Sequence, residues 1–288
     1  MKNERMENDN PSLARVELRK ETGYQQDLLV VEEPLEIRVN SRPIAVVLRT
    51  PGRTPTDDLD LVRGFLLTEA IIEDIDDLEA IGHCTDRNNP NRGNLIFANL
   101  SSGYGSVRER VEDAQRTQFV TSSCGVCGKA SIDKIFNHVE PYLDWFLLDT
   151  KRLSGMMATL RTHQDNFGLT GGIHGAGIFT GHGEIVCAAE DIGRHNAVDK
   201  VIGQAIRKKL LPLSDHVLVV SSRAGFEIVQ KALMAGIRAV VSVGASSSMA
   251  HELARRSRLS LYSFVRDGRF NEHRPQSVSS NASLSALD

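Results

Sequence analysis

His216-Val217-Leu218-Val219-Val220-Ser221-Ser222-Arg223-Ala224-Gly225-Phe226-Glu227-Ile228-Val229-Gln230-Lys231 is the stretch that decides the fold. A β-branched apolar run gives way to a polar turn, then to apolar residues at helical spacing. The reading is a buried strand over 216–221 and a helix over 226–235. The alternation continues with a strand at 239–243, a helix at 248–257 and a strand at 259–265. Upstream, a helix at 194–210 follows two runs, 172–180 and 184–189, which flank Gly181-His182-Gly183 as a hairpin. Such alternation predicts a layered α/β domain with helices covering a largely parallel sheet.

Toward the N-terminus the texture is β-rich. Residues 1–12 are polar and expected to be disordered. Strands are predicted at 14–19 and 27–31. Two alternating runs, 32–39 and 43–49, flank Asn40-Ser41 as a hairpin. Thr56 is expected to cap a helix running to residue 72, with Leu59, Val62, Leu66 and Ala70 on one face. Residues 74–79 read as acidic surface and 94–100 as a strand. A charged connector at 108–116, a strand at 117–123 and a helix at 129–139 come next, and Pro141 ends that helix. A further helix is predicted at 152–166. From Asn271 the tail is polar, serine-rich and expected to be disordered. The division is therefore 1–12, a β-rich part 13–140, an α/β part 141–270 and a tail 271–288.

The 288 residues carry a formal charge of −3, and the sequence pI is about 6.3. That balance excludes a broad basic field, so no nucleic-acid partner is expected. No apolar run approaches the ~18 residues of a membrane helix. The polar start, Met1-Lys2-Asn3-Glu4-Arg5, lacks a signal-peptide core. A cytoplasmic protein with no membrane partner is expected, with its thiols kept reduced.

Between the predicted strand 117–123 and helix 129–139 lies Thr121-Ser122-Ser123-Cys124-Gly125-Val126-Cys127-Gly128-Lys129, which holds two of the four cysteines. A helix N-terminus favours thiolate through its unpaired N–H groups and dipole. Three readings compete for Cys124 and Cys127: redox or sulfur-transfer chemistry, zinc, and inert structure. Structural zinc needs four ligands, and Cys84 and Cys187 stand alone in sequence. A deaminase-type zinc site needs H-x-E before P-C-x-x-C. Here Ser123 precedes Cys124, and both H-x-E matches, at His138 and His182, come afterwards. No zinc is expected. A dithiol oxidoreductase and a persulfide carrier both remain open on local sequence. Cys84 and Cys187 read as buried small apolar residues.

The rest of the chain closely resembles the FdhD family, the sulfurtransferases that serve formate dehydrogenases. The likeness spans roughly 32–270 and rests on separate blocks. These include Glu33-Pro34-Leu35-Glu36-Ile37, Arg49-Thr50-Pro51-Gly52 and Gly64-Phe65-Leu66-Leu67-Thr68-Glu69-Ala70. The cysteine loop, Thr170-Gly171-Gly172-Ile173-His174 and Glu190-Asp191-Ile192-Gly193-Arg194-His195-Asn196-Ala197-Val198-Asp199-Lys200 follow. Ser221-Ser222-Arg223, Val229-Gln230-Lys231 and Gly268-Arg269-Phe270-Asn271 complete the set.

The resemblance implies a cytidine deaminase-like layered α/β fold without zinc, in a homodimer. It implies that sulfur passes from an IscS-type cysteine desulfurase to the molybdenum cofactor, Mo-bis(molybdopterin guanine dinucleotide), before insertion into formate dehydrogenase. Cys124 matches the persulfide cysteine and Cys127 its motif partner. Phe264, Val265, Arg266, Asp267, Gly268 and Arg269 match the cofactor-contacting segment, where Asp267 adds a negative charge. A non-catalytic cofactor-delivery chaperone is the alternative binding reading.

The residues themselves add candidates. Ser222 and Arg223 stand at the carboxyl end of a predicted strand, as does Gly244-Ala245-Ser246-Ser247-Ser248 one unit later. Ligands of open α/β sheets bind at that edge, and helix N-termini receive anions. Asp191 is read as a helix cap or a functional acid. His195 and His174 are read as proton donors, ligand contacts or structural histidines.

Overall fold

A computed structural model describes residues 10–101 and 141–274. Strands β1 (Leu13–Lys20) and β2 (Gly23–Val30) form a separate hairpin. Strands β3 (Glu33–Val39) and β4 (Arg42–Arg49), helix α1 (Pro55–Thr68), and strands β5 (Leu78–His83) and β6 (Leu95–Leu100) follow. After the undescribed segment come α2 (Leu153–Thr162), α3 (Asp165–Thr170), β7 (His174–Thr180) and β8 (Ile185–Asp191). Then come α4 (Arg194–Arg207), β9 (His216–Val220), α5 (Phe226–Met234) and β10 (Ala239–Ser242). Helix α6 (Ser248–Ser257), β11 (Ser260–Arg266) and β12 (Arg269–Glu272) complete the described chain.

The N-terminal sheet has the order β4-β3-β6-β5, and the C-terminal sheet the order β12-β11-β10-β9-β7-β8. The expected layered α/β class, with a β-rich N-terminal part, is the class observed. The large sheet is mixed rather than largely parallel. β9, β10 and β11 pair in parallel, whereas β7 runs antiparallel to both neighbours and β12 antiparallel to β11. Alternate strand residues face opposite layers. Val217 and Val219 join α2 residues Leu153, Met156 and Leu160 in one apolar cluster. Leu218 and Val220 join α4, α5 and α6 in the other. That second cluster continues without a break through α1 into β3, β4 and β6.

Several sequence expectations shift by a few residues for physical reasons. The first helix starts at Pro55 after the cap Thr54, not at Thr56. Proline suits the first helical turn, where its missing N–H is no loss, and Asp57 accepts the Thr54 N–H at 3.0 Å. The helix stops at Thr68 rather than 72. Ala70 N–H bonds Leu67 O, and Ile71 N–H bonds Leu66 O, a Schellman ending with Ala70 at φ 55°. The helix expected over 152–166 is two helices, because Glu190 turns the chain. Its carboxylate accepts the N–H groups of Asn166 and Phe167 at 2.9 and 2.8 Å, capping α3. Burial pushes the Glu190 carboxyl above its ordinary value, and those two bonds oppose the shift.

Asn40 and Ser41 both take positive φ, 46° and 69°, as the tight two-residue hairpin between β3 and β4 requires. Part of the supposed acidic surface at 74–79 enters strand β5. Asn10 to Ser12, expected to be disordered, are tied down. The Ser12 hydroxyl donates to Pro51 O at 2.6 Å. Asn271, expected to begin the tail, lies inside β12.

The two halves meet where α1 crosses α4. A Cβ built on Gly64 would lie 1.9 Å from Asp199 O, and one on Gly203 would lie 1.8 Å from Asp60 O. The backbones touch, so each glycine admits the other helix. Ion pairs built on the buried Asp60, Asp199 and Lys231 surround the crossing. Asp60 holds Arg207 at 2.9 Å. Lys231 holds Asp199 at 3.0 Å and Glu69 at 2.9 Å, with the Thr68 hydroxyl at 2.8 Å. Burial works against the Lys231 charge, yet Asp199 and Glu69 hold its pKa above the ordinary lysine value.

Gly203→Ala should lower the denaturant midpoint by an equivalent of about 1–3 kcal/mol or more, as expected for overpacking a tight contact. Lys231→Met should cost about 3–5 kcal/mol, because it strands buried Asp199. In Lys231→Met/Asp199→Asn the loss should shrink. Equilibrium urea unfolding of the full chain measures all three.

Candidate functional site

Strand register gathers the candidate residues on one edge of the large sheet. His174 pairs with Asp191, and Ala176 pairs with Val220. The start of β7 and the end of β8 therefore lie beside the carboxyl end of β9. Parallel pairing sets the ends of β10 and β11 next to them. Loops that leave this edge carry His174, Asp191 and His195, then Ser222 and Arg223, then 244–248, then Phe264.

Asp191 is an anchor rather than the helix cap, which is Gly193. Its fully buried carboxylate accepts the N–H groups of Thr50 at 3.2 Å and Gly193 at 2.8 Å, and the Asn196 amide at 3.0 Å. It also pairs with Lys200 Nζ at 2.6 Å. Lys200 further donates to Thr50 O and Glu190 O. All the acceptor sites of Asp191 are thus spent on tying Thr50 to the start of α4.

His195 behaves differently. It sits half-buried in the first turn of α4, with Nε2 3.0 Å from Glu227 Oε2 in the first turn of α5. That contact holds the Glu227 carboxyl below its ordinary value. The pair joins two helix N-termini at the edge; both side chains are partly exposed, and His195 Nε2 itself is buried. Burial pushes the His174 imidazole below its ordinary value, and Arg194 adds to the shift. A neutral His174 is the result at neutral pH.

On the other side of β9, Ser222 is buried and donates to Arg223 O at 3.1 Å. The Arg223 guanidinium is exposed and makes no ion pair among the described residues. A Cβ on Gly244 would lie 3.0 Å from the Arg223 backbone, so a larger residue there would push the two loops apart. Ala224 and Ser246 form a parallel bridge. Ser247 caps α6 by accepting Ala250 N–H at 3.1 Å, as the capping reading of this serine run expects. The Ser246 hydroxyl oxygen is buried with no hydrogen-bond partner among the described residues, and such a group normally has one.

Phe264 lies in the next loop. It is 53% exposed, takes φ 53° and donates its N–H to Gly244 O at 3.0 Å. A bulky residue in that conformation costs roughly 1–3 kcal/mol, and such strain clusters at functional sites. Of the matched segment, Val265 is buried at 1% exposure and belongs to the core. Arg266, Asp267, Gly268 and Arg269 are exposed. Asp267 and Gly268 form the turn into β12, at φ 52° and 77°. Aspartate tolerates that geometry, and Asp267 pairs with Arg266 at 3.3 Å, so its charge is accounted for within the turn.

The edge therefore brings together His174, His195, Ser222, Arg223, Ser246, Phe264 and the turn after it. Cys124 and Cys127, with their predicted strand and helix, lie outside the described residues. Cys187 is buried, as expected. Cys84 is not. It is half-exposed beside a cavity of about 450 Å³ on β5 and β6, away from the edge. Glu227 was missed in the sequence. Its place in the first turn after a strand-end arginine was the available signal. Among the described residues no three metal-ligating side chains converge, and no helix is long and apolar enough to cross a membrane.

The profile of the FdhD/NarQ family matches residues 30–276. "Sulfur carrier protein FdhD" of Streptomyces avermitilis is 42% identical over 255 residues, covering 86% of this chain and 89% of the relative. The protein of the same name from Mycobacterium tuberculosis is 42% identical over 252 residues, covering 85% and 89%. The crystal structure of "a putative formate dehydrogenase accessory protein" from Desulfotalea psychrophila has the same fold. It superposes with a TM-score of 0.68 over 92% of this chain and 96% of that one, at 20% identity. With a family profile spanning most of its length and close relatives aligned nearly end to end, the chain belongs to the FdhD/NarQ family.

Proposed function

We propose that this protein is a sulfur carrier that serves formate dehydrogenase. The observation that carries the reading is the 42% identity, across 86% of the chain, to a protein named as a sulfur carrier. In this reading Cys124 is the carrying thiol. Its thiolate attacks the outer sulfur of a persulfide on a cysteine desulfurase. A new Cys124 S–S bond forms, the donor S–S bond breaks, and the donor cysteine leaves as thiolate. Cys127 stands by as the alternative carrier or as the resolving thiol. The cargo's acceptor is the molybdenum cofactor in its bis-guanine-dinucleotide form, loaded before it enters formate dehydrogenase. The carrier works as a cytoplasmic homodimer.

The sheet edge suits such an acceptor. A dinucleotide offers phosphates and flat rings. Arg223 and Arg269 are exposed cations, and a guanidinium grips phosphate at two points. Ser246 brings an unpartnered hydroxyl. Phe264 brings an exposed aromatic face of the kind on which bases stack.

When the full chain is incubated with a cysteine desulfurase and cysteine, mass spectrometry should find one extra sulfur on Cys124. Cys124→Ala should lack it and should fail to support formate dehydrogenase activity. Reversible Cys124–Cys127 disulfide turnover without sulfur loading would point instead to a dithiol oxidoreductase. A Cys124→Ala chain that still supported the enzyme would point to a delivery chaperone. Arg223→Ala should weaken GDP binding about tenfold, the loss expected when one charge-assisted phosphate contact is removed. Arg223→Lys should recover only part of it, as isothermal titration would show.

A further inference from the structure

Tyr262 and Val265 both belong to the apolar cluster beneath α2. They are three residues apart, and an unbroken strand would send them to opposite faces. The register explains the change. Ser263 pairs with Asn271 and Arg266 with Arg269, so two β11 residues, Phe264 and Val265, face the single β12 residue Phe270. This is a β-bulge, a device that re-aims a side chain. With Val265 kept in the core, Phe264 is the residue turned out.

A short chain of polar groups braces this bulge. The Ser263 hydroxyl, on a residue 1% exposed, lies 2.7 Å from His273 Nε2. His273 Nδ1 lies 3.3 Å from His251 Nδ1 on α6. The His273 N–H also donates to Leu261 O at 2.9 Å. Two proton arrangements satisfy the chain. In one, Ser263 donates to Nε2 and His273 Nδ1–H donates to His251. In the other both directions reverse. Either way β11, the chain just past β12, and α6 are pinned together at the bulge.

We propose that Ser263, His273 and His251 form a clasp that holds Phe264 outward as a preformed seat for the flat ring of a bound nucleotide. His273 and His251 are then positioning residues, and the inference rests on the proposed reading of this edge as a nucleotide site. Preorganisation of this kind raises affinity by removing the cost of ordering at binding. The strained backbone at Phe264 is stable without ligand because the clasp carries it.

Two measurements on the full chain decide the matter. The first is hydrogen exchange of the peptide spanning 263–266 in ligand-free protein. Exchange should quicken about tenfold in His273→Ala and His251→Ala, as local opening becomes easier. His273→Gln, whose amide reaches the Nε2 position and Ser263 but not His251, should exchange as His251→Ala does. The second is GDP affinity. Both alanine variants should bind about tenfold more weakly, and in a Phe264→Ala background they should cost almost nothing further, since coupled residues are non-additive. Unchanged exchange in both alanine variants would overturn the clasp, and so would losses that simply add to that of Phe264→Ala. A wild-type chain that binds no GDP would sink the nucleotide reading of the edge, while the exchange data would still decide whether the clasp holds Phe264.

Discussion

The contact on which the rest of the structure depends is the meeting of α1 and α4 with no side chain between them. Gly64 abuts the backbone of Asp199, and Gly203 abuts that of Asp60. Each aspartate thus presents its carbonyl to a glycine and its carboxylate to a cation. Asp60 takes Arg207, and Asp199 takes Lys231. Burying these charges is costly unless every one is paired. The approach is therefore narrowly specified, since any slip of one helix would separate several ion pairs. Through this crossing the N-terminal sheet and the large sheet share a single apolar core.

The same constraint reaches the candidate site. Asp191 at the end of β8 and Lys200 in the middle of α4 both bind Thr50, just past β4. Helix α4 cannot shift along its axis without breaking those bonds as well. Its first turn, and with it His195 facing Glu227, is therefore held in place at the sheet edge. Much of the long motif from Glu190 to Lys200 serves this fixing role. Asp191, Asp199 and Lys200 of this motif are buried, whereas the exposed cations at the edge come from Arg223, one unit further along, and from the turn after β11. A motif can be dense in charged residues and still be mainly structural, because a buried charge must be answered by another.

The edge itself follows from topology. A β7 strand antiparallel to β8 and β9 returns its first residue, His174, to the side where the parallel strands end. Loops distant in sequence thus converge without any one of them folding specially. Local devices then tune them. Gly244 lets two loops touch, Ser247 caps α6, and the bulge in β11 turns Phe264 out.

Much of this was legible in the residues alone. The β-α alternation from 216 onward, the hairpin at Asn40-Ser41, and helix α6 at Ser248–Ser257 were all readable, because strand and helix periodicities and turn residues act locally. The likeness to the FdhD family, and the candidates Ser222, Arg223 and Phe264, were readable too. Other features depended on partners far along the chain. The break between α2 and α3 needs the Glu190 carboxylate, and the reach of β12 past Phe270 needs β11 to pair with it. The anchoring role of Asp191 needs Thr50, and the pairing of His195 with Glu227 needs two helices brought end to end. Sequence by itself determined the periodic elements, the family and the reactive residue types, since these are properties of neighbouring residues. Tertiary structure alone decided which polar groups are spent on holding the fold and which remain free at the edge, since that depends on which distant groups burial brings together.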